Sequence, residues 1–177
     1  MKGILLKISI VSWALCFIII VFSFFNINLP SLMPFLWCLC PLVFIVFIPS
    51  VLYAKKSRQA NEDDYNDSFN LNSNSVSLLP FVEKAPISLL LILVTSFLIT
   101  AISAIFMFTM ESGTPEIINN QFVLQFRGQI VRKITEKEFY NLKLLDVRYS
   151  FGFILIFYAV CILVISRLIE WESQEEE

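Results

Sequence analysis

The chain contains no histidine. That absence removes Ser-His, Cys-His and Glu-His catalytic arrangements together, and with them the commonest ligand for transition metals. Charge is also scarce. Lys and Arg number 13 and Asp and Glu 15, making 16% of 177 residues, where an ordinary soluble domain carries about a quarter. The net charge of -2 offers no basic field, and the cations are spread over separate loops, which argues against nucleic acid as a partner. Charge is missing altogether from three long runs, 8–54, 85–110 and 149–166. Ion-coupled transporters and proton relays bury ionisable groups in the membrane, so this gap counts against transport.

What remains is apolar: 57% of residues are hydrophobic, with mean hydropathy +0.75. A bilayer core needs about 20 apolar residues per helix, and the longest run holds enough for two. Asn26, Asn28 and Pro30 interrupt it near the middle, as a tight turn would. The predicted fold is all-α transmembrane: a single integral membrane domain of four helices, with spans at about 5–25, 32–54, 87–110 and 149–169. Lys2 and Lys7 precede the first pair and Lys55, Lys56 and Arg58 follow it, so the positive-inside rule sets both ends of the pair in the cytoplasm. Alternation then makes 55–86 a cytoplasmic loop and 111–148 external, and returns the C-terminus to the cytoplasm. An odd number of spans would reverse the later segments. A signal peptide is the rival reading of the first span, but the apolar stretch is long and lacks a small-x-small cleavage site.

Lipid supplies no hydrophobic drive between helices, so small and hydroxyl residues at i, i+4 mark packing faces. Ser96, Thr100 and Ala104 form such a stripe in span three, with Ser103 beside it. In span two, Pro41 lies deep enough to predict a bend. Cys16, Cys38, Cys40 and Cys161 all fall within spans, where sulfur is held as inert thiol. Four helices and four cysteines are similar to the quinone-dependent disulfide-generating oxidases of bacteria. However, the pair here is Cys38-Leu39-Cys40 and the external segment holds no cysteine.

Residues 59–77 are rich in Asn, Asp and Ser and read as a solvated cytoplasmic connector, followed by a more apolar stretch, 75–82, suited to the interface. Trp171 is a candidate interface anchor ahead of an acidic tail ending in Glu175, Glu176 and Glu177.

The external segment is the distinctive part. Residues 122–126 and 129–132 are β-prone runs on either side of Arg127-Gly128, which predicts a hairpin. Asn119-Asn120 supplies a turn before it. Thr135 and Glu138 form a capping box, and Ile134 and Phe139 have the spacing of a hydrophobic staple, so a helix starts at Glu136. Phe139, Leu142, Leu145 and Tyr149 continue at helical spacing into span four, either straight or after a bend near Ser150, Phe151 and Gly152. A small β-hairpin plus helix cap thus precedes the last span. Phe122, Phe126, Arg127, Arg132, Lys133 and Phe139 are its candidate interaction surface.

Within 113–140, Gly113-Thr114-Pro115-Glu116-Ile117, Gly128-Gln129-Ile130-Val131-Arg132 and Thr135-Glu136-Lys137-Glu138-Phe139 resemble a loop of an uncharacterised family of small four-span bacterial inner-membrane proteins. That family tends to carry histidine where this chain has Arg127. The resemblance implies a bacterial inner membrane and no activity. In size and span count the chain is also similar to immunity proteins against pore-forming colicins.

The expectation is a non-enzymatic binding, accessory or immunity-type protein of the inner membrane with no cofactor and no metal. Its partners would be the lipid bilayer and another membrane protein or a pore-forming toxin. The alternatives are a membrane thiol redox protein using Cys38 and Cys40, or a small transporter.

Overall fold

The computed structural model of the protein describes residues 2–25, 37–61, 79–83, 85–109 and 113–175. The expected turn at Asn26 to Pro30, most of the Asn-rich connector, Lys84 and the last two glutamates lie outside the described residues. Among the described residues, five helices and three strands follow in chain order: α1 (Lys2–Phe24), α2 (Leu39–Asn61), α3 (Leu79–Glu83), α4 (Ile87–Thr109), β1 (Thr114–Ile118), β2 (Gln121–Phe126), β3 (Gln129–Lys133) and α5 (Glu136–Glu175).

Among the described residues, three helices are long and apolar enough to cross a membrane: α1, α4 and α5. The expected second span, 32–54, does not reach that length among the described residues. Its apolar helix is Leu39–Lys55, and positions 32–36 lie outside the description. Pro41 does not bend the middle of this helix, as the sequence predicted. It occupies the first turn, where a proline's missing N–H is an unpaired group in any helix. The interior proline is Pro49.

α5 is the axis of the assembly. Its 40 residues extend about 60 Å without interruption, so the segment after Thr135 continues as one helix through Gly152. Of its apolar window 67% is buried, against 17% for α4, because α1, α2 and α4 each pack mainly on α5 rather than on one another. Phe151, Leu155, Tyr158, Cys161 and Ile165 meet Cys16, Ile20, Val43 and Val46 in one core. Chain directions follow from the contacts. The Lys2 ammonium pairs with Glu172 and Arg148 reaches Ser23, so α1 is antiparallel to α5. Thr100 of α4 meets Gly152, while Phe81 of α3 stacks on Trp171 at 5.1 Å, so α4 is antiparallel as well. Ala54 packs with Leu163 and Leu168, and the Tyr158 hydroxyl donates to the Leu39 carbonyl at 3.1 Å, so α2 runs parallel to α5.

Small residues carry these crossings. On α1 the buried set includes Ser9, Ser12, Cys16 and Ser23, and on α4 it is Ser96, Thr100 and Ser103, with Ala104 half-buried. Each of these three α4 hydroxyls donates to the carbonyl four residues back, at 2.7 to 2.8 Å. The polar groups are thereby satisfied within their own helix and present a low profile to the neighbour. Trp13 adds a cross-helix bond, its Nε1 donating to Ser96 Oγ at 2.9 Å.

The sheet is a three-stranded antiparallel meander, β1-β2-β3. Its two outer strands are joined to β2 by tight turns at Asn119-Asn120 and Arg127-Gly128, all four residues at positive φ. The expected hairpin is therefore β2 and β3, with a third strand, β1, that the sequence reading did not include. Pro115 hid it, since proline argues against a central strand but is tolerated on an edge.

Candidate interaction surface

The cap is built on the first turns of α5. Leu124 of β2 packs with Ile134 and Phe139, and Phe122 and Leu142 close the cluster. Thr135 is the N-cap, its Oγ1 accepting from Glu138 N at 3.2 Å. Glu138 is held by Arg132 across the sheet–helix junction in a two-pronged pair, Nη2 to Oε1 at 2.5 Å and Nη1 to Oε2 at 3.2 Å. Hydrogen bonding from Arg132, chiefly, holds the Glu138 carboxyl below its ordinary value of 4.5. The charge of Arg132 and the backbone bond at Thr135 act in the same direction, and desolvation opposes them.

The six residues expected to form one surface fall into three settings. Phe122 and Phe139 meet as a tilted pair, ring centroids 5.0 Å apart, inside the cap core, and Phe139 is buried. Their role is to hold β2 on α5. Arg132 is engaged with Glu138. Phe126, Arg127 and Lys133 are exposed, and every position of β3 is open. A register shift opposite the Leu124–Gln125 step leaves Val131 as the extra residue of a bulge. Ile130 and Val131 are exposed beside these cations, so the outward face of the cap is the β2–β3 tip and the β3 edge.

Inside the bundle the cysteines are distributed unequally. Cys16 and Cys161 are buried, Cys40 is half-buried against the same core, and Cys38 is exposed. Cys38 and Cys40 therefore occupy different surroundings. Tyr158 sits among Cys16, Cys40 and Cys161, with Ser12 in hydrogen-bond reach of its hydroxyl and Ser50 in reach of Cys161. No group of three or more His, Cys, Asp or Glu that could hold a metal ion occurs among the described residues.

Three features escaped the sequence reading. The serine and cysteine face of α1 carries the same small-residue signal as α4 and was available in the spacing of Ser9, Ser12 and Cys16. Arg148 marks only the edge of an apolar run in sequence, yet it closes the end of α1. Arg167 is almost wholly buried, paired with Glu170 and set 5.4 Å from the Trp171 ring, and its Nε has no partner among the described residues.

Comparison with known proteins gives no match to a family model, to a curated protein or to a solved structure.

Proposed function

We propose that the protein is a multi-span protein of the bacterial inner membrane that acts by binding rather than by catalysis. In this reading it protects against, regulates or accompanies another membrane-inserted protein or a pore-forming toxin. The observation that carries the reading is the cap. It is a sheet fixed by its own apolar core and a two-pronged ion pair to the extramembrane turns of α5, presenting Lys133, Val131 and the open β3 edge outward.

The ion pair between Lys2 and Glu172 joins the two ends of the described chain at one end of the bundle, which supports an even number of crossings, with Leu39–Lys55 as the short fourth. Lys7, Lys55 and Arg167 near that end support a cytoplasmic position for both termini and an external one for the sheet.

Two experiments test the reading. Reporter fusions after Gln129 and Glu177 are expected on opposite sides of the membrane, and a cytoplasmic Gln129 fusion overturns the orientation. Cells expressing the protein are expected to survive a pore-forming toxin that kills cells carrying a scrambled 121–132 segment. Equal survival of both removes the immunity version.

A further inference from the structure

The β2–β3 tip holds an arginine where the backbone favours other residues. Arg127 has φ 51° and Gly128 83°, the left-handed pair of a type I′ turn. The other such turn in the same sheet uses Asn119 and Asn120, at 50° and 60°. Asparagine and glycine adopt this conformation readily and arginine does not, so the fold tolerates strain to keep a cation at this point. The neighbours of the cation are apolar and open. Phe126 is 44% and Ile130 55% exposed, and the guanidinium lies 5.1 Å from the Phe126 ring.

Topology brings this tip to the membrane end of the sheet. β1 begins soon after α4 ends, and the link from Thr109 to Gly113 reaches at most about 15 Å. Thr114 pairs with Gln125, so the strand end next to Arg127 is the one tethered to α4. The opposite end of β3 leads into α5 at Glu136, about 20 Å of helix before Tyr149. Thr100 lies against Gly152, which sets the last turn of α4 level with the region of Lys143 to Arg148.

We propose that the tip docks on the phospholipid headgroups of the leaflet bordering the sheet, with Arg127 donating to a lipid phosphate and Phe126 and Ile130 seated at the headgroup–acyl boundary. A guanidinium presents a planar fork of N–H donors that matches phosphate oxygens, and apolar side chains beside it suit the interface, where one end of a group is wet and the other is not. Elsewhere on the cap Lys133, Lys137 and Lys143 stand against Glu116, Glu136 and Asp146, and Glu138 is paired with Arg132, so Arg127 is the cation of the tip itself. The inference rests on the membrane reading above and leaves Val131 and Lys133 for a protein partner.

The test uses the full chain with Cys38→Ser, carrying a nitroxide at Gln129→Cys or, as the water-exposed reference, at Asn119→Cys. Each is reconstituted in vesicles of phosphatidylcholine and phosphatidylglycerol and recovered by flotation. The Gln129 label is expected to collide with dissolved oxygen more, and with a water-soluble nickel chelate several-fold less, than the Asn119 label. Adding Arg127→Asn, which suits the turn and keeps the cap folded, is expected to return the Gln129 label to water. A Gln129 label that meets nickel as freely as the Asn119 label overturns the inference, as does a tip shielded in native membranes but not in pure lipid, which is the mark of a protein partner. Amide exchange without any label gives an independent reading. Gln129 and Ile130 are expected to exchange faster in Arg127→Asn than in the unsubstituted chain in the same vesicles; equal or slower exchange, as relief of turn strain alone would give, overturns it. A chain that fails to float overturns the membrane reading as well, whereas a floating chain with a wet tip overturns this inference alone.

Discussion

Arg148 closes the end of α1 by reaching Ser23 with two donors, Nε to the hydroxyl at 2.9 Å and Nη2 to the main-chain carbonyl at 2.6 Å, while its plane lies 4.3 Å from the Phe24 ring. The last carbonyls of a helix have no partner inside it, and a cation there also meets the negative end of the helix dipole. With Lys2 on Glu172 at the other end, α1 is tied to α5 at both extremities. Replacing Arg148 with leucine is expected to cost about 1.5–3 kcal/mol, the range for hydrogen bonds to charged groups. Thermal unfolding in detergent reads this. Arg148→Lys should recover only part of the loss, because an ammonium cannot hold the two-donor fork. Full recovery by lysine would show that charge alone matters.

Gly152 allows α4 to approach α5 closely. A Cβ there would lie 2.9 Å from Thr100 Oγ1 and 3.3 Å from Thr100 Cα, and the latter, being backbone, cannot turn aside. Gly152→Ala is expected to destabilise by about 1–3 kcal/mol through overpacking, despite alanine's better helix propensity. Gly152→Ala combined with Thr100→Ala, which removes the hydroxyl that the new Cβ would meet first, should lose less than Gly152→Ala alone. A neutral or stabilising Gly152→Ala would mean that the two helices separate freely.

The extent to which this architecture is readable from sequence depends on the range of the forces involved. Local signals suffice for the cap helix: Thr135 binds the Glu138 amide, and Ile134 and Phe139 share one cluster, as their spacing indicates. The Arg127-Gly128 turn is equally local. Long-range geometry is not. Glu138 completes the capping box by pattern, with its carboxyl bonded to the Thr135 backbone, but the ion pair from Arg132, brought close by the fold, carries no local signal. Phe122 and Phe139 look like recognition aromatics until the sheet folds onto the helix and encloses them. Apolar composition marks three helices as long and apolar enough to cross a membrane, yet it does not indicate that α5 is the axis, because a helix apolar on every side has little moment to orient it. In such a helix the glycine at 152 and the small residues on α1 and α4 are the remaining guides.

Thr135 anchors the start of α5, so Thr135→Ala is expected to cost about 1 kcal/mol. The effect should be confined to the cap. Amide exchange at Lys137 and Glu138 should rise while the amides of Leu155 and Tyr158, deep in the bundle, stay protected. A uniform increase along α5 would show that its cap turns and its apolar portion unfold as one unit.

Glu138 gives the cap a pH dependence whose sign is fixed. Its carboxyl is held below 4.5 in the folded protein, chiefly by the Arg132 hydrogen bond, so the folded state binds the proton more weakly than the unfolded one. The stabilisation is fully present above the unfolded value and is lost as pH falls through the folded one. Cap stability is therefore expected to be level from neutral pH down to about 5 and to decline below it. Exchange of the β3 amides reads the loss, since Arg132 ties that strand to α5. In Glu138→Gln the amide still accepts a hydrogen bond but does not titrate, so the decline should flatten, with β3 less protected at neutral pH. An unchanged decline in the variant would assign the acid sensitivity to another carboxylate.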